Sequence, residues 1–405
     1  MSAGARAARA RRVAPTLKSY FGRETVERIA ALISAVHPAF PAAAFVADAA
    51  RGLASRELLA RGDHVAAALR RHLPPDYREA VGILTRSLGP ELGADGFEGL
   101  GMAPFVYLPY VAFVREWGLR DFDASMAAQH ALTRRFTAEW SIRPFLDAEP
   151  ERTLAVLRAW AEDPSPHVRR LVSEGTRPRL PWAPRLRRFG RDPRPALALL
   201  ERLRDDPSPY VRRSVANHLN DVGKDHPDLL VETCRRWLHG ATPERRKLVA
   251  HALRSLVKQG HREALALLGH GAAPRVAVRG ARVEPDRARV GESVRFRATL
   301  ASRSRAAQRL AVDLAVHYVK ANGAARPKVF KLRVVELAPG GAVELGKTLS
   351  LAQMSTRRHH AGVHEVDLLV NGVRLPAARF EIVAGAARRP APVRRGRGPV
   401  SRRAR

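Results

Sequence analysis

The chain has 405 residues, more than the ~250–300 that one hydrophobic core usually organises, so more than one domain is expected. A composition of 45% hydrophobic and 27% charged residues suits a globular body, and the formal charge of +32 points to a polyanionic partner, an inference about association rather than fold. With Cys234 as the single cysteine, an internal disulfide and a cysteine-ligated metal cluster are excluded.

Met1–Arg12 is rich in arginine and alanine and lacks the apolar run of a secretion signal, so residues 1–14 read as a basic, disordered arm. No stretch approaches the ~18–20 apolar residues of a membrane helix. A soluble, cytoplasmic monomer without membrane contact is the expectation. From residue 15 to about 270 the pattern is helical: Val26–Val36, Val65–Leu73, Ser125–Phe136 and Thr153–Trp160 place apolar residues at helical spacing between short Pro, Gly and Asp breaks. After Gly271 the period changes. Val290–Leu300, Leu310–Val319, Lys328–Leu337, Ala342–Leu349, His364–Val370 and Ala378–Val383 alternate or are β-branched, with turn signals at Asn322-Gly323 and Asn371-Gly372. Residues 275–384 therefore read as a small immunoglobulin-like β-sandwich. The Arg/Pro-rich remainder, 385–405, has no periodicity and reads as a disordered tail.

The helical part repeats itself. DPSPHVRRLVSEG begins at Asp163 and DPSPYVRRSVANHLND at Asp206, 43 residues apart, within the roughly 40–47 residues of a HEAT or armadillo helix pair. Arg134–Glu139 aligns with Arg169–Glu174 as a fainter copy, and Arg246–His251 aligns with Arg212–Asn217 as another. The fold class is therefore mainly α, a HEAT-like α-solenoid (an α-α superhelix), followed by the all-β sandwich.

Stacked helix pairs bring equivalent positions side by side. Glu139, Glu174 and Asn217 are equivalent here, and Asp221 lies one turn beyond Asn217. Acids inside a basic groove would repel phosphate, so the row points to chemistry or to a cationic ligand. Two plainer readings stand beside it: Asp163 and Asp206 as helix caps, and the recurring Asp and Arg as a ladder between repeats. Trp182 by itself reads as packing. His359 and His360 fall in a predicted sandwich loop and read as solvated. There is no P-loop, HExxH or GxSxG pattern.

The run SEGTRPRLPWAPRLRRF (Ser173–Phe189), followed by DDPSPYVRRSVANHLNDVGKDHPD (Asp205–Asp228), resembles the signature region of the AlkC-type DNA alkylation repair proteins, of the AlkC/AlkD superfamily of HEAT-like repeat glycosylases. Tyr20-Phe21, the helix around Arg61 and the turn Leu73–Tyr77 resemble the family's N-terminal region. His317–Gly323 and Val329–Leu332 resemble the immunoglobulin-like domain of one AlkC branch.

This resemblance implies a monofunctional glycosylase acting on double-stranded DNA that contains cationic alkylated bases, chiefly 3-methyladenine, with 3-methylcytosine left open. It implies Glu139, Glu174 and Asp221 as catalytic acids and Trp182 as an aromatic wall against the lesion. Glycosidic cleavage develops positive charge on the sugar, which carboxylates stabilise while one of them orients water. A cationic base leaves without protonation, so neither metal nor cofactor is expected. Arg169, Arg170, Arg177, Arg212 and Arg213 are the expected phosphate contacts. Lys320, Lys328, Lys331, Arg357 and Arg358 would let the sandwich clamp the duplex. The alternative is a non-catalytic helical-repeat scaffold that binds nucleic acid or protein.

Overall fold

A computed structural model describes residues 16–93, 99–354 and 358–383; the arm 1–14 and the tail 385–405 lie outside the described residues. The N-terminal part consists of α1 (Arg23–Ser34), α2 (Ala42–Ala50), α3 (Leu58–His72), α4 (Tyr77–Arg86), α5 (Leu108–Trp117) and α6 (Phe122–Thr133). Then come α7 (Arg143–Ala148), α8 (Pro150–Trp160), α9 (Pro166–Gly175), α10 (Arg187–Arg191), α11 (Arg194–Leu203) and α12 (Pro209–Val222). The helical series closes with α13 (Pro227–Leu238), α14 (Pro243–Ala252), α15 (Arg254–Lys258) and α16 (Arg262–Leu267). Among the described residues no helix is long and apolar enough to cross a membrane.

The repeat seen in the sequence is a repeat of helix pairs: α8–α9, α11–α12 and α13–α14, with α12 lying between α9 and α14. Val211, Val215 and Leu219 on α12 are fully buried at helical spacing, and Val168, Leu171 and Val172 on α9 match them. Each such side chain contributes ~1.5–3 kcal/mol of burial. Close approach at the ends of these helices demands glycine. A Cβ on Gly175 would sit 2.6 Å from Ile142, and one on Gly223 would run into the Leu230 side chain.

The DPSP motif works differently from the cap it resembles. The helices begin at the second proline, Pro166 and Pro209, with Ser165 and Ser208 at the N-cap positions. Asp163 and Asp206 instead accept the amide N–H of the residue two further on, Ser165 and Ser208, at 2.8 Å. The second carboxylate also takes a fork from Arg169, which ties consecutive repeats together.

The chain divides into two compact units at Ser255/Leu256, earlier than the expected break at 270–275. Within the second unit the cause is visible. The chain at Gly260 passes so close to the β-turn at Gly372 that a Cβ there would lie 2.9 Å from the Gly372 carbonyl, and Asn371 donates to the Ala272 carbonyl at 3.1 Å. Helix α16 therefore belongs with the sandwich.

Among the described residues eight strands make the sandwich: β1 (Val276–Glu284), β2 (Arg287–Arg289), β3 (Ser293–Ser302), β4 (Gln308–Val319), β5 (Ala325–Leu337), β6 (Ala342–Ser350), β7 (Gly362–Val370) and β8 (Val373–Val383). One sheet runs β1-β3-β6 and the other β2-β8-β7-β4-β5, antiparallel except for β2 against β8. Strand β3 shows why it is a strand: Val294, Phe296, Ala298 and Leu300 point into the core while Arg295 and Arg297 alternate outward. The expected strand at Val290 begins at Ser293, after a turn with Gly291 at φ 99°. His359, expected in solvent, is buried and packs edge-on to Tyr318 at 5.1 Å, while His360 is half-buried.

Candidate active site in the helical repeats

Glu174 occupies the last turn of α9 and Asp221 the last turn of α12; both sit just ahead of the tightly packed glycines. Glu139 reaches them from outside any helix. The expected helix Ser125–Phe136 ends at Thr133, so Arg134–Glu139 does not continue it. The helix end is closed there by Arg135, which donates to the Ala131 and Gly89 carbonyls, and by the Leu92 amide on the Arg134 carbonyl. Phe136, Thr137, Ala138 and Glu139 are buried in a non-helical connection, in keeping with the poor helix propensity of Thr and Phe.

The three acids are interleaved with cations. Arg170 lies 2.9 Å from Glu139 and 3.7 Å from Glu174. Arg177 donates to Glu174 at 2.5 Å and grips Asp221 through Nε and Nη2 at 2.8 and 2.7 Å. Lys224 closes the row, donating to Asp221 at 2.7 Å. Hydroxyls fill in: Ser214 donates to Glu174 at 2.5 Å and Thr137 to Glu139 at 3.0 Å. Tyr210 from the first turn of α12 places its ring 5.3 Å from the Arg170 guanidinium carbon.

Burial would raise the Glu174 carboxyl, but Arg170, Arg177 and the Ser214 hydroxyl outweigh it and hold the group below the ordinary carboxylate range. Asp221 is only 2% exposed. These are charges fixed in place in a desolvated row.

His218, on the same helix, is buried and neutral. Burial depresses it from 6.5 to about 4. Its Nδ1 pairs with the Ser173 carbonyl at 2.9 Å and its Nε2 has no partner among the described residues, so a proton there would be bare. The depressed folded value means the unfolded chain binds the proton first. Stability is then full above pH 6.5 and is expected to drop by roughly 3 kcal/mol as the pH falls to about 4. Urea unfolding across that window measures it, and His218→Gln should flatten the slope there.

The five arginines expected on phosphate divide into two groups. Arg169 forks onto Asp206 and donates to the Asp163 and Pro164 carbonyls, a link between repeats. Arg170 and Arg177 belong to the acidic row. Buried carboxylates face all three of these side chains. Arg212 donates to the Asp206 and Pro207 carbonyls at the rim of a groove of about 410 Å³ between α12 and α14, and the exposed Arg213 lines that groove with Lys247 and His251.

Trp182 is not gathered with the acids. It is 59% exposed, with φ at 63°, a conformation costing a bulky residue on the order of 1–3 kcal/mol. It lines a cavity of about 290 Å³ with Trp140, Arg143 and Leu108, and none of the three acids lines that cavity. Its loop is pinned by buried Arg143, which donates to the Gly175, Arg177 and Pro184 carbonyls. Arg143, Ser214, Tyr210 and Lys224 were not singled out from sequence. Neither the Ser173-Glu174 and Ser214 neighbourhood nor Arg143 carries a spacing signal in the sequence. Of the expected sandwich cations, Lys328 and Lys331 lie on β5, Lys320 follows β4 and Arg358 is exposed; Arg357 lies outside the described residues.

The architecture and the site define the class first: a HEAT-like helical-repeat protein with an immunoglobulin-like sandwich after the repeats. Residues 277–384 match the family described as "Uncharacterised protein YhaZ, C-terminal Ig-like domain". The chain is 33% identical over 318 residues to the uncharacterised protein YhaZ of Bacillus subtilis (strain 168), an alignment covering 78% of this chain and 85% of that protein. It is 40% identical to the Pseudomonas fluorescens alkylpurine DNA glycosylase AlkC, solved bound to DNA containing an abasic site analog, with a TM-score of 0.85 over 91% of this chain and 100% of that one. The chain belongs to the AlkC family.

Proposed function

We propose that this protein is a DNA glycosylase that hydrolyses the N-glycosidic bond of cationic alkylated bases in duplex DNA, 3-methyladenine first among them, leaving an abasic site and an uncut strand. The observation that carries the reading is the buried row Glu139–Arg170–Glu174–Arg177–Asp221, in which three carboxylates are held in one place by guanidinium groups. As the bond breaks, positive charge grows on the deoxyribose, and fixed anions need no reorganisation to meet it. The alkylated base already carries its charge and leaves as a neutral purine, so no strong general acid is required. This fits a site in which the Glu174 carboxyl is held below the ordinary carboxylate range.

Trp182, held out from the fold at positive φ, serves as the aromatic contact to the cationic lesion or its neighbours. Arg213 and Lys247, in the groove between α12 and α14, contact phosphate, with the lysines of the sandwich as a second basic surface for the same duplex. The test is release of 3-methyladenine from duplex DNA treated with a methylating agent. The wild-type protein is expected to release it and leave alkali-labile sites. Tight duplex binding with no base release would favour the helical-repeat scaffold, with the acidic row as a structural ladder only.

A further inference from the structure

We infer that the cavity at Trp182 is a product site: it takes the neutral purine once the glycosidic bond has broken. This rests on the glycosylase reading and adds a second site to it. The cavity, of about 290 Å³, lies wholly within the first compact unit. Leu59 and Asp63 of α3, Leu108 and Val111 of α5, and the indoles of Trp140 and Trp182 line it.

The cavity is built by residues that local preference would not choose. Gly62 lies inside α3, where glycine costs stability relative to alanine. A Cβ there would lie 2.7 Å from Leu108 Cγ, so glycine is what lets the two lining helices approach. Trp182 is held at φ 63°, a strained conformation for a bulky residue, by the loop that Arg143 pins. Trp140 is half-buried, and its Nε1 has no hydrogen-bond partner among the described residues. A purine is rich in the ring-nitrogen acceptors that this donor lacks.

Volume and charge select the ligand. The cavity is at the small end of the ~300–1,000 Å³ usual for ligand sites, which suits one planar base. Two indoles among aliphatic side chains favour a flat, uncharged molecule. Its polar edge would meet Asp63 and Arg115, paired at 3.0 Å, and Asp147, which has no ion-pair partner among the described residues. Bond cleavage is what creates such a molecule. The alkylated base is a cation drawn to the carboxylate row; after cleavage it is neutral, and that attraction is gone. The cavity adjoins the row without containing any of its acids. Trp140 follows Glu139 directly, and Arg143 lies within electrostatic reach of Glu139 and donates to the Arg177 carbonyl. A base that moves there is separated from the sugar carbon and cannot recombine with it.

Titration with the free base needs no catalysis. By calorimetry the full-length protein is expected to bind free 3-methyladenine with a dissociation constant of about 0.1–1 mM, and to show no binding of deoxyribose. Added 3-methyladenine is expected to slow multiple-turnover release from methylated duplex. Ala112, buried on α5, lines the cavity, and Ala112→Phe fills it. This variant is expected to bind the free base about tenfold or more weakly and to escape the inhibition. Leu59→Trp fills the cavity from a half-buried position and covers the case in which melting temperature reports Ala112→Phe unfolded. Free-base affinity within about threefold of wild type in a folded filling variant overturns the inference. So does a wild-type protein that releases the base yet binds none of it free. Loss of single-turnover release in a folded filling variant would put the base in the cavity before the bond breaks, and overturns the product assignment. Wild-type silence on methylated duplex overturns the glycosylase reading instead, a separate result.

Discussion

Asp221→Asn is expected to lower base release from methylated duplex by about 10²–10³-fold while abasic-site duplex binding stays within a few-fold of wild type. The carboxylate is 2% exposed and lies between Arg177 and Lys224. Asparagine has the same shape, so the pocket is not reshaped; what disappears is one negative charge in a place where water cannot replace it. Removing a single preorganised electrostatic group of this kind costs about 2.7–4 kcal/mol of transition-state stabilisation. Because the charge is needed only once the sugar becomes cationic, the loss should fall on kcat rather than on KM. Glu174→Gln is expected to behave alike, with an added stability loss because its Oε2 accepts from Ser214. Single-turnover rates with saturating protein test the pair. Turnover within about threefold of wild type in Asp221→Asn would remove Asp221 from the chemistry and leave it as an anchor for Arg177.

Much of this site was legible in the sequence because the repeat is a spatial statement. The alignment that sets His251 on Asn217, 34 residues apart, is realised as a contact, His251 Nε2 to Asn217 Oδ1 at 3.1 Å across α12 and α14. The same logic brought Glu174 and Asp221 to adjacent helix ends. It failed where partners come from outside the repeat. Glu139 sits in the aligned register but off the helix, because the chain ahead of it is closed by Arg135 and by the segment near Leu92, contacts made from 40 or more residues away. The ladder of recurring Asp and Arg is realised where Arg169 meets Asp206, but no linear pattern shows that Arg177 reaches Asp221, 44 residues along the chain. In the sandwich, six strands showed their alternation. Strands β1 and β2 did not, since Arg279, Arg282, Arg287 and Arg289 interrupt the apolar period on exposed edge strands.

Arg177→Ala is expected to be the most destabilising single substitution in the site. One guanidinium lies 2.5 Å from Glu174 and 2.7 Å from Asp221, and all three side chains are at most 10% exposed. Truncation would leave two buried carboxylates facing each other with Arg170 and Lys224 only at the ends of the row. Breaking a buried pair in this way costs about 3–5 kcal/mol, chiefly as uncompensated charge rather than lost contact. At ~2–4 °C per kcal/mol for a unit of this size, the melting temperature should fall by about 10 °C. A pH signature separates charge from packing. In the wild type Glu174 is held below the ordinary carboxylate range, so its ion pairs contribute fully above that range and are lost as the pH falls through the depressed value. In Arg177→Ala the stranded carboxyl takes up a proton at higher pH, which relieves the repulsion. The stability gap between variant and wild type should therefore be widest near neutrality and narrow toward pH 4. A gap of the same size at both pH values would mean that Arg177 acts through its packed stem, and that the carboxylates do not depend on it for their ionisation.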